Sequence, residues 1–411
     1  MDFPFGPKCD IERRQEFIPI DLTKEAPMAY DFDTPIDRRG THALKYEKYE
    51  NTDILPMWVA DMDFSAPPEV LEALQKAVSH GVLGYTNVPA ELNTVVQERL
   101  HRLYDWDVET DWLVWIPGVV SGLNACCRAL VPEGKAMVTT TPIYPPFLSV
   151  ADEFDRELIQ IPMVQEGQRA VLDYPALEAA FKKGVSLLLF CSPYNPCGTL
   201  FTREELERLV ELCARYEVRI CSDEIHSDFI LSDRPHIPTG AVSPDAADRS
   251  VTLMAPSKTF NIPGLSCSFA VIPNPESRRR FKAVLKGLVP DVNSLGYFGA
   301  LAAYSKGDAW LEELIAYLSR NRDRVVERIN QMPGLKLNPI ESTFLAWIDA
   351  RETGLEDPVA FFEAAGVGLS DGKYFGNPGF IRLNYGCPFS VLEQGLDRMA
   401  AALAEKKDVS I

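Results

Sequence analysis

Histidine is scarce in this chain of 411 residues: five occur, and no pair stands at H-x-x-x-H spacing. A zinc site therefore has little to build from. Basic residues are outnumbered, 41 Lys and Arg against 59 Asp and Glu, for a net charge of −18. No basic stripe offsets that balance, which argues against nucleic acid as a partner. None of the nine cysteines forms a C-x-x-C pair; Cys126 and Cys127 are adjacent, and Cys191 and Cys197 flank a turn. Such an odd set reads as reduced thiols packed as small apolar groups. No apolar run reaches bilayer length, so no membrane span is expected. Asp10, Glu12, Arg13 and Arg14 break up the first twenty residues, which leaves no signal-peptide core. A cytoplasmic location is the expectation. Internal repeats and low-complexity segments are absent as well.

What is present is the texture of a globular protein, 46% hydrophobic and 24% charged. The length exceeds what one hydrophobic core usually supports, so two lobes are expected. Short β-rich runs at 136–140, 158–162, 185–191, 218–222, 251–255 and 268–272 alternate with amphipathic stretches such as 174–183 and 203–216. That alternation predicts an α/β fold with a mostly parallel sheet covered on both faces. Residues 56–289 read as the large domain. Residues 1–55 and 290–411 read as a smaller α+β domain built from both chain ends, with a long helix at 308–331 and strands at 343–348 and 380–384. The boundary rests on Val289-Pro290.

Several positions could carry chemistry, each with an ordinary alternative. Lys258, in Ala255-Pro256-Ser257-Lys258-Thr259-Phe260-Asn261, follows an apolar run. It is either an exposed loop lysine or a buried amine able to form a Schiff base with a carbonyl cofactor. Asp223 ends a strand candidate, where ligands of parallel sheets bind. A buried carboxylate there would keep a pyridine nitrogen protonated; the alternative is Asp223 or Glu224 capping a following helix. Ser192-Pro193-Tyr194-Asn195-Pro196-Cys197-Gly198 is a turn, and Asn195 is a candidate donor to a phenolate oxygen and a substrate carboxylate. Pro117-Gly118-Val119-Val120 runs into a helical pattern and would present free amides to a phosphate. Tyr144 could stack on a flat ring. Arg382 is a charge inside a strand candidate and suits either an α-carboxylate or a buried Asp.

These signals occur in one order, and the order resembles a fold-type I pyridoxal 5′-phosphate (PLP) enzyme of the aminotransferase class I/II superfamily. More narrowly the chain is similar to the MalY/PatB branch of cystathionine β-lyase-like C–S lyases. The resemblance covers nearly the whole chain. It includes Pro56-Met57-Trp58-Val59-Ala60-Asp61-Met62-Asp63-Phe64, Gly84-Tyr85-Thr86, Asp223-Glu224-Ile225-His226 and Asn384-Tyr385-Gly386. It implies the PLP-dependent transferase fold. It further implies Lys258 as the Schiff-base lysine, Asp223 as the pyridinium partner, Asn195 at the cofactor's 3′-oxygen and Tyr144 stacked on its ring. Val119, Val120 and Ser257 would hold the phosphate, and Tyr85 would reach the phosphate of a neighbouring subunit in a homodimer with shared sites. Arg382, with Asn195, would take the substrate carboxylate. His226 stands where related aminotransferases usually carry tyrosine, which favours a lyase. Lys45-Tyr46, where relatives often show Lys-Trp, lies outside this set. The implied reaction is α,β-elimination of L-cystathionine or related S-substituted L-cysteines to a thiol, pyruvate and ammonia. Either Tyr85 or Lys258 would protonate the departing sulfur. An aminotransferase, or a lyase-fold protein with an added regulatory binding role, is the alternative.

Overall fold

The computed structural model describes residues 29–409. Cys9 and residues 1–28 of the segment assigned to the smaller lobe lie outside the described residues. From Phe32 onward the chain is one compact unit.

Seven strands form the central sheet: β1 (Leu113–Ile116), β2 (Met137–Thr141), β3 (Leu158–Pro162), β4 (Leu187–Cys191), β5 (Arg219–Asp223), β6 (Ser250–Met254) and β7 (Ser268–Val271). Their spatial order is β1-β7-β6-β5-β4-β2-β3. The pairs β2/β3, β2/β4, β4/β5 and β5/β6 are parallel. Strand β7 alone runs against its neighbours, antiparallel to both β1 and β6. The sheet is therefore mixed and mostly parallel. Every residue of β2, β4 and β6 is buried, which explains their unbroken apolar or Thr-rich sequences: helices cover both faces. Helix α1 (Val119–Leu130) packs against β5 and β6, and α2 (Tyr174–Phe181) and α3 (Arg203–Arg215) pack against each other. Thr202 and Glu205 start α3 with a reciprocal capping box. A single helical turn, α4 (Pro256–Thr259), carries Lys258 directly after β6.

A second sheet contains β8 (Lys336–Leu337), β9 (Leu345–Asp349), β10 (Ser370–Asp371) and β11 (Phe380–Asn384), in the order β8-β9-β11-β10. All its pairings are antiparallel. The expected long helix is present as α5 (Asp308–Gln331). The eight described cysteines are buried and unbridged, as small apolar groups would be. No helix among the described residues is long and apolar enough to cross a membrane.

Candidate active site

The carboxyl ends of β1, β2, β4, β5 and β6 lie along one edge of the central sheet, because those strands share a direction. Each is followed by a residue singled out from the sequence: Val119 and Val120 after β1, Tyr144 after β2, Asn195 after β4, Asp223 at the end of β5, and Ser257 and Lys258 after β6. Loops at this edge form the usual ligand crevice of open α/β sheets. Arg382 comes from the middle of β11, opposite Trp347 and Ser370.

Lys258 points its Nζ at the Ala60 carbonyl oxygen. Burial lowers its pKa to about 8; Asp61 opposes that shift, Arg382 reinforces it and Asp223 opposes it. Helix α4 is pinned from behind. Thr259 donates to Asp228 Oδ2 at 2.7 Å, and Arg99 holds Asp228 Oδ1 at 2.7 Å. Asp223 is the buried anion of the site. Its Oδ1 accepts the Ile225 amide at 3.1 Å, yet burial still pushes its pKa up to about 7. No helix follows β5 here, so the helix-cap alternative gives way to a tight turn. Glu224 faces inward, accepting from Ser222 Oγ and the Thr239 amide, with His236 Nε2 at 2.8 Å.

Arg382 is the buried cation. It donates to Asn195 Oδ1 and to the Trp58 carbonyl, both at 3.0 Å, and to Ser370 Oγ at 3.4 Å. All three acceptors are neutral, and Nε is buried without a hydrogen-bond partner. Burial lowers the guanidinium to about 10. Tyr144, partly buried, is raised by burial and by the Asp223 charge, while Arg382 opposes the shift. His226 is held to about 3, first by burial and then by Lys258 and Arg382. It is thus a neutral ring packed near Phe229 and Phe344, its Nδ1 unpartnered. Tyr85 is not drawn into this cluster. It stands fully exposed in an irregular stretch beside Val82 (71% exposed) and Leu83 (63%).

The residues present fit PLP. Gly118 enters α1 with φ 125° and ψ 146°, a conformation open essentially to glycine alone, and nothing lies within 4 Å of where a Cβ would project. The helix has no side-chain cap, so its first-turn amides face an open cradle suited to a phosphate. A buried carboxylate near neutrality suits a protonated ring nitrogen, and a buried guanidinium facing only neutral acceptors suits a substrate carboxylate.

The sequence marks residues 58–64 as a distinctive run and a candidate wall of the substrate pocket, but it does not show how the run is held. They form neither helix nor strand, so no periodicity marks them. Here they are a strap across the site. The Trp58 carbonyl serves Arg382, the Val59 and Asp61 carbonyls take the Asn384 amide, and the Ala60 carbonyl takes Lys258. Asn261 accepts from the Met62 amide at 3.0 Å and donates to the Met62 and Phe64 carbonyls. Arg38 and Lys45 hold Asp63 at 2.7 Å each, which gives Lys45 a place beneath the strap.

The family model for aminotransferase class I and II matches residues 52–399. The chain is 36% identical over 386 residues to cystathionine beta-lyase PatB of Bacillus subtilis, covering 91% of this chain and all of that protein. Among solved structures it is similar to OvoB, with a TM-score of 0.89, 45% identity, and 91% of this chain and 99% of that one covered. The PLP-bound C-S lyase from Staphylococcus hominis gives a TM-score of 0.86 at 31% identity, covering 92% of this chain and 99% of that one.

Proposed function

The chain belongs to the aminotransferase class I and II family, in its cystathionine β-lyase branch, and we propose that it is a PLP-dependent carbon–sulfur β-lyase. Its substrate in this reading is L-cystathionine or a related S-substituted L-cysteine, cleaved to a thiol, pyruvate and ammonia. Arg382, a buried cation with only neutral hydrogen-bond acceptors, and Lys258, a buried amine of lowered basicity, support an amino-acid site for PLP, and the similarity to PatB and to the Staphylococcus hominis C-S lyase carries the lyase reading.

PLP, when bound, supplies the electron sink for charge developing at the substrate Cα. The chain's own residues do the rest. Arg382 and Asn195 orient the substrate carboxylate, which fixes the amino acid by one end. Asp223 would keep the proton on the ring nitrogen. Val119, Val120 and Ser257 would hold the phosphate, Asn195 would bond the 3′-oxygen, and Tyr144 and His226 would pack against the ring. Lys258 tethers the cofactor, and as a free amine it takes the Cα proton; a pKa near 8 leaves a useful fraction unprotonated at neutral pH. Either Lys258 or Tyr85 then protonates the departing sulfur.

Incubation with cystathionine and no keto acid is expected to give pyruvate and free thiol in equal amounts. Product that appears only when a keto acid is added would make the protein an aminotransferase instead.

The reading includes a homodimer in the cytoplasm, with 56–289 as the cofactor-binding domain. Tyr85, Val82 and Leu83 are too exposed in one chain to be left to water, and a second copy would bury them. Mixing inactive Lys258→Ala with inactive Tyr85→Ala subunits should restore activity, because each mixed dimer has one site with both residues intact. Random pairing predicts about a quarter of wild-type activity. No recovery after verified subunit exchange would mean that Tyr85 serves its own subunit.

A further inference from the structure

Asp61 is the acidic residue of the strap with an oxygen to spare. Its Oδ2 takes the Arg38 guanidinium at 2.7 Å. Its Oδ1 is buried without a hydrogen-bond partner, and Lys45 Nζ stays 3.9 Å from it. Asp63, two residues on, has both oxygens engaged, one by Arg38 and one by Lys45. The Ala60 carbonyl, one residue before Asp61, is the acceptor for Lys258 Nζ. An open carboxylate oxygen therefore stands one residue from the atom that holds the lysine. The backbone there cannot drift, since Asn384 holds the Asp61 carbonyl at 2.7 Å and Asn261 clasps Met62.

We propose that Asp61 is a positioning residue for Lys258. It receives the free lysine as an ammonium and holds it between the Ala60 carbonyl and its own open Oδ1. The charges that face Lys258 are Asp61, Arg382 and Asp223, with neutral His226 nearby, and Asp61 acts on it most strongly. Those that face Asp61 are Arg38, Lys45 and Lys258. The inference rests on Lys258 being the working amine. After Lys258 takes the Cα proton, that proton resides on Nζ, held toward Asp61, until it is passed on. Only a proton moves. The Asp61 charge makes Lys258 a stronger base than burial alone would leave it.

The test is a titration of Lys258 in the apoprotein, read as the pH dependence of reductive methylation with ¹³C-formaldehyde and located by peptide mass spectrometry. Asp61→Asn should lower the midpoint by about one pH unit. Asp63→Asn, which disturbs the same Arg38 and Lys45 contacts, should leave it in place. In the holoenzyme, Asp61→Asn should lower kcat about tenfold with little change in KM. An unmoved midpoint in Asp61→Asn, or an equal shift in Asp63→Asn, overturns the proposal. Should Asp61→Asn fail to fold, Arg38→Gln takes a cation off Asp61, and the midpoint should move alkaline. A midpoint unmoved there also overturns it. Because the apoprotein titration does not depend on which reaction is catalysed, a failed lyase assay and a failed Asp61 effect are distinguishable.

Discussion

Lys258→Ala is expected to abolish pyruvate release, by about 10⁴-fold or more, while leaving a folded protein. Two losses combine. The cofactor loses its covalent tether, and the Cα proton loses its base. Folding should not suffer, because removing a buried amine also removes the cost of keeping that charge out of water. The cofactor should still bind, held through Asp223, Asn195 and the open cradle at Gly118, so the variant is expected to be coloured. Borohydride separates the two forms. Reduction should add the cofactor's mass to the wild-type chain at Lys258 and leave Lys258→Ala unmodified. A variant with even a hundredth of wild-type turnover, or a wild-type chain modified elsewhere, would remove Lys258 from the centre of the reaction.

Asp223→Asn should separate stability from activity. Asparagine keeps the shape and the Ile225 contact but has no charge to hold a proton on the ring nitrogen. Turnover should fall about 10³-fold, within the range for losing one positioned acid–base group. In the apoprotein the same change is expected to stabilise. Burial raises the Asp223 carboxyl from 3.8 to about 7 on folding. A group raised in the folded state contributes stability that is present below its unfolded pKa and is lost as pH rises through the folded value. Wild-type apoprotein should thus match Asp223→Asn near pH 4 and fall behind it by pH 8, by up to about 4 kcal/mol. Thermal unfolding across that range checks this. A gap in Tm that does not change with pH would show that the carboxyl is not titrating. Saturating PLP should close the gap, since the bound ring gives the wild-type carboxylate its partner.

The parallel half of the sheet was legible because strands buried on both faces lose their alternation and become plain apolar runs, as Leu187–Cys191 does. Strand β7 was legible as a strand but not in its direction. The segment between Met254 and Ser268 holds one turn of α-helix and a short 3₁₀ turn, too little for a full crossover helix, and the chain returns antiparallel. Strand β1 was overlooked, being four residues long after a charged stretch. Asn195, Asp223 and Lys258 were legible through their order, which follows the adjacent strands β4, β5 and β6 along the edge of the central sheet, whereas Arg382 comes from the second sheet and was legible as a charge inside an apolar strand. Arg382 kept two readings in the sequence, and the structure narrows them: its hydrogen bonds go to Asn195, Trp58 and Ser370, not to an aspartate. The run at 58–64 was legible as distinctive and as a pocket wall, but its grip on Arg382, Lys258 and Asn384 was not, because it works through backbone carbonyls, and a carbonyl looks the same in every residue.

That strap also sets a spacing. Trp58 and Ala60, separated by one residue, grip Arg382 and Lys258 respectively, the groups proposed for the carboxylate end and the α-carbon of the substrate. One stretch of backbone thus works as a gauge for the invariant half of any amino-acid substrate. Inserting a single glycine between Trp58 and Ala60 would put that gauge out of true for every substrate alike.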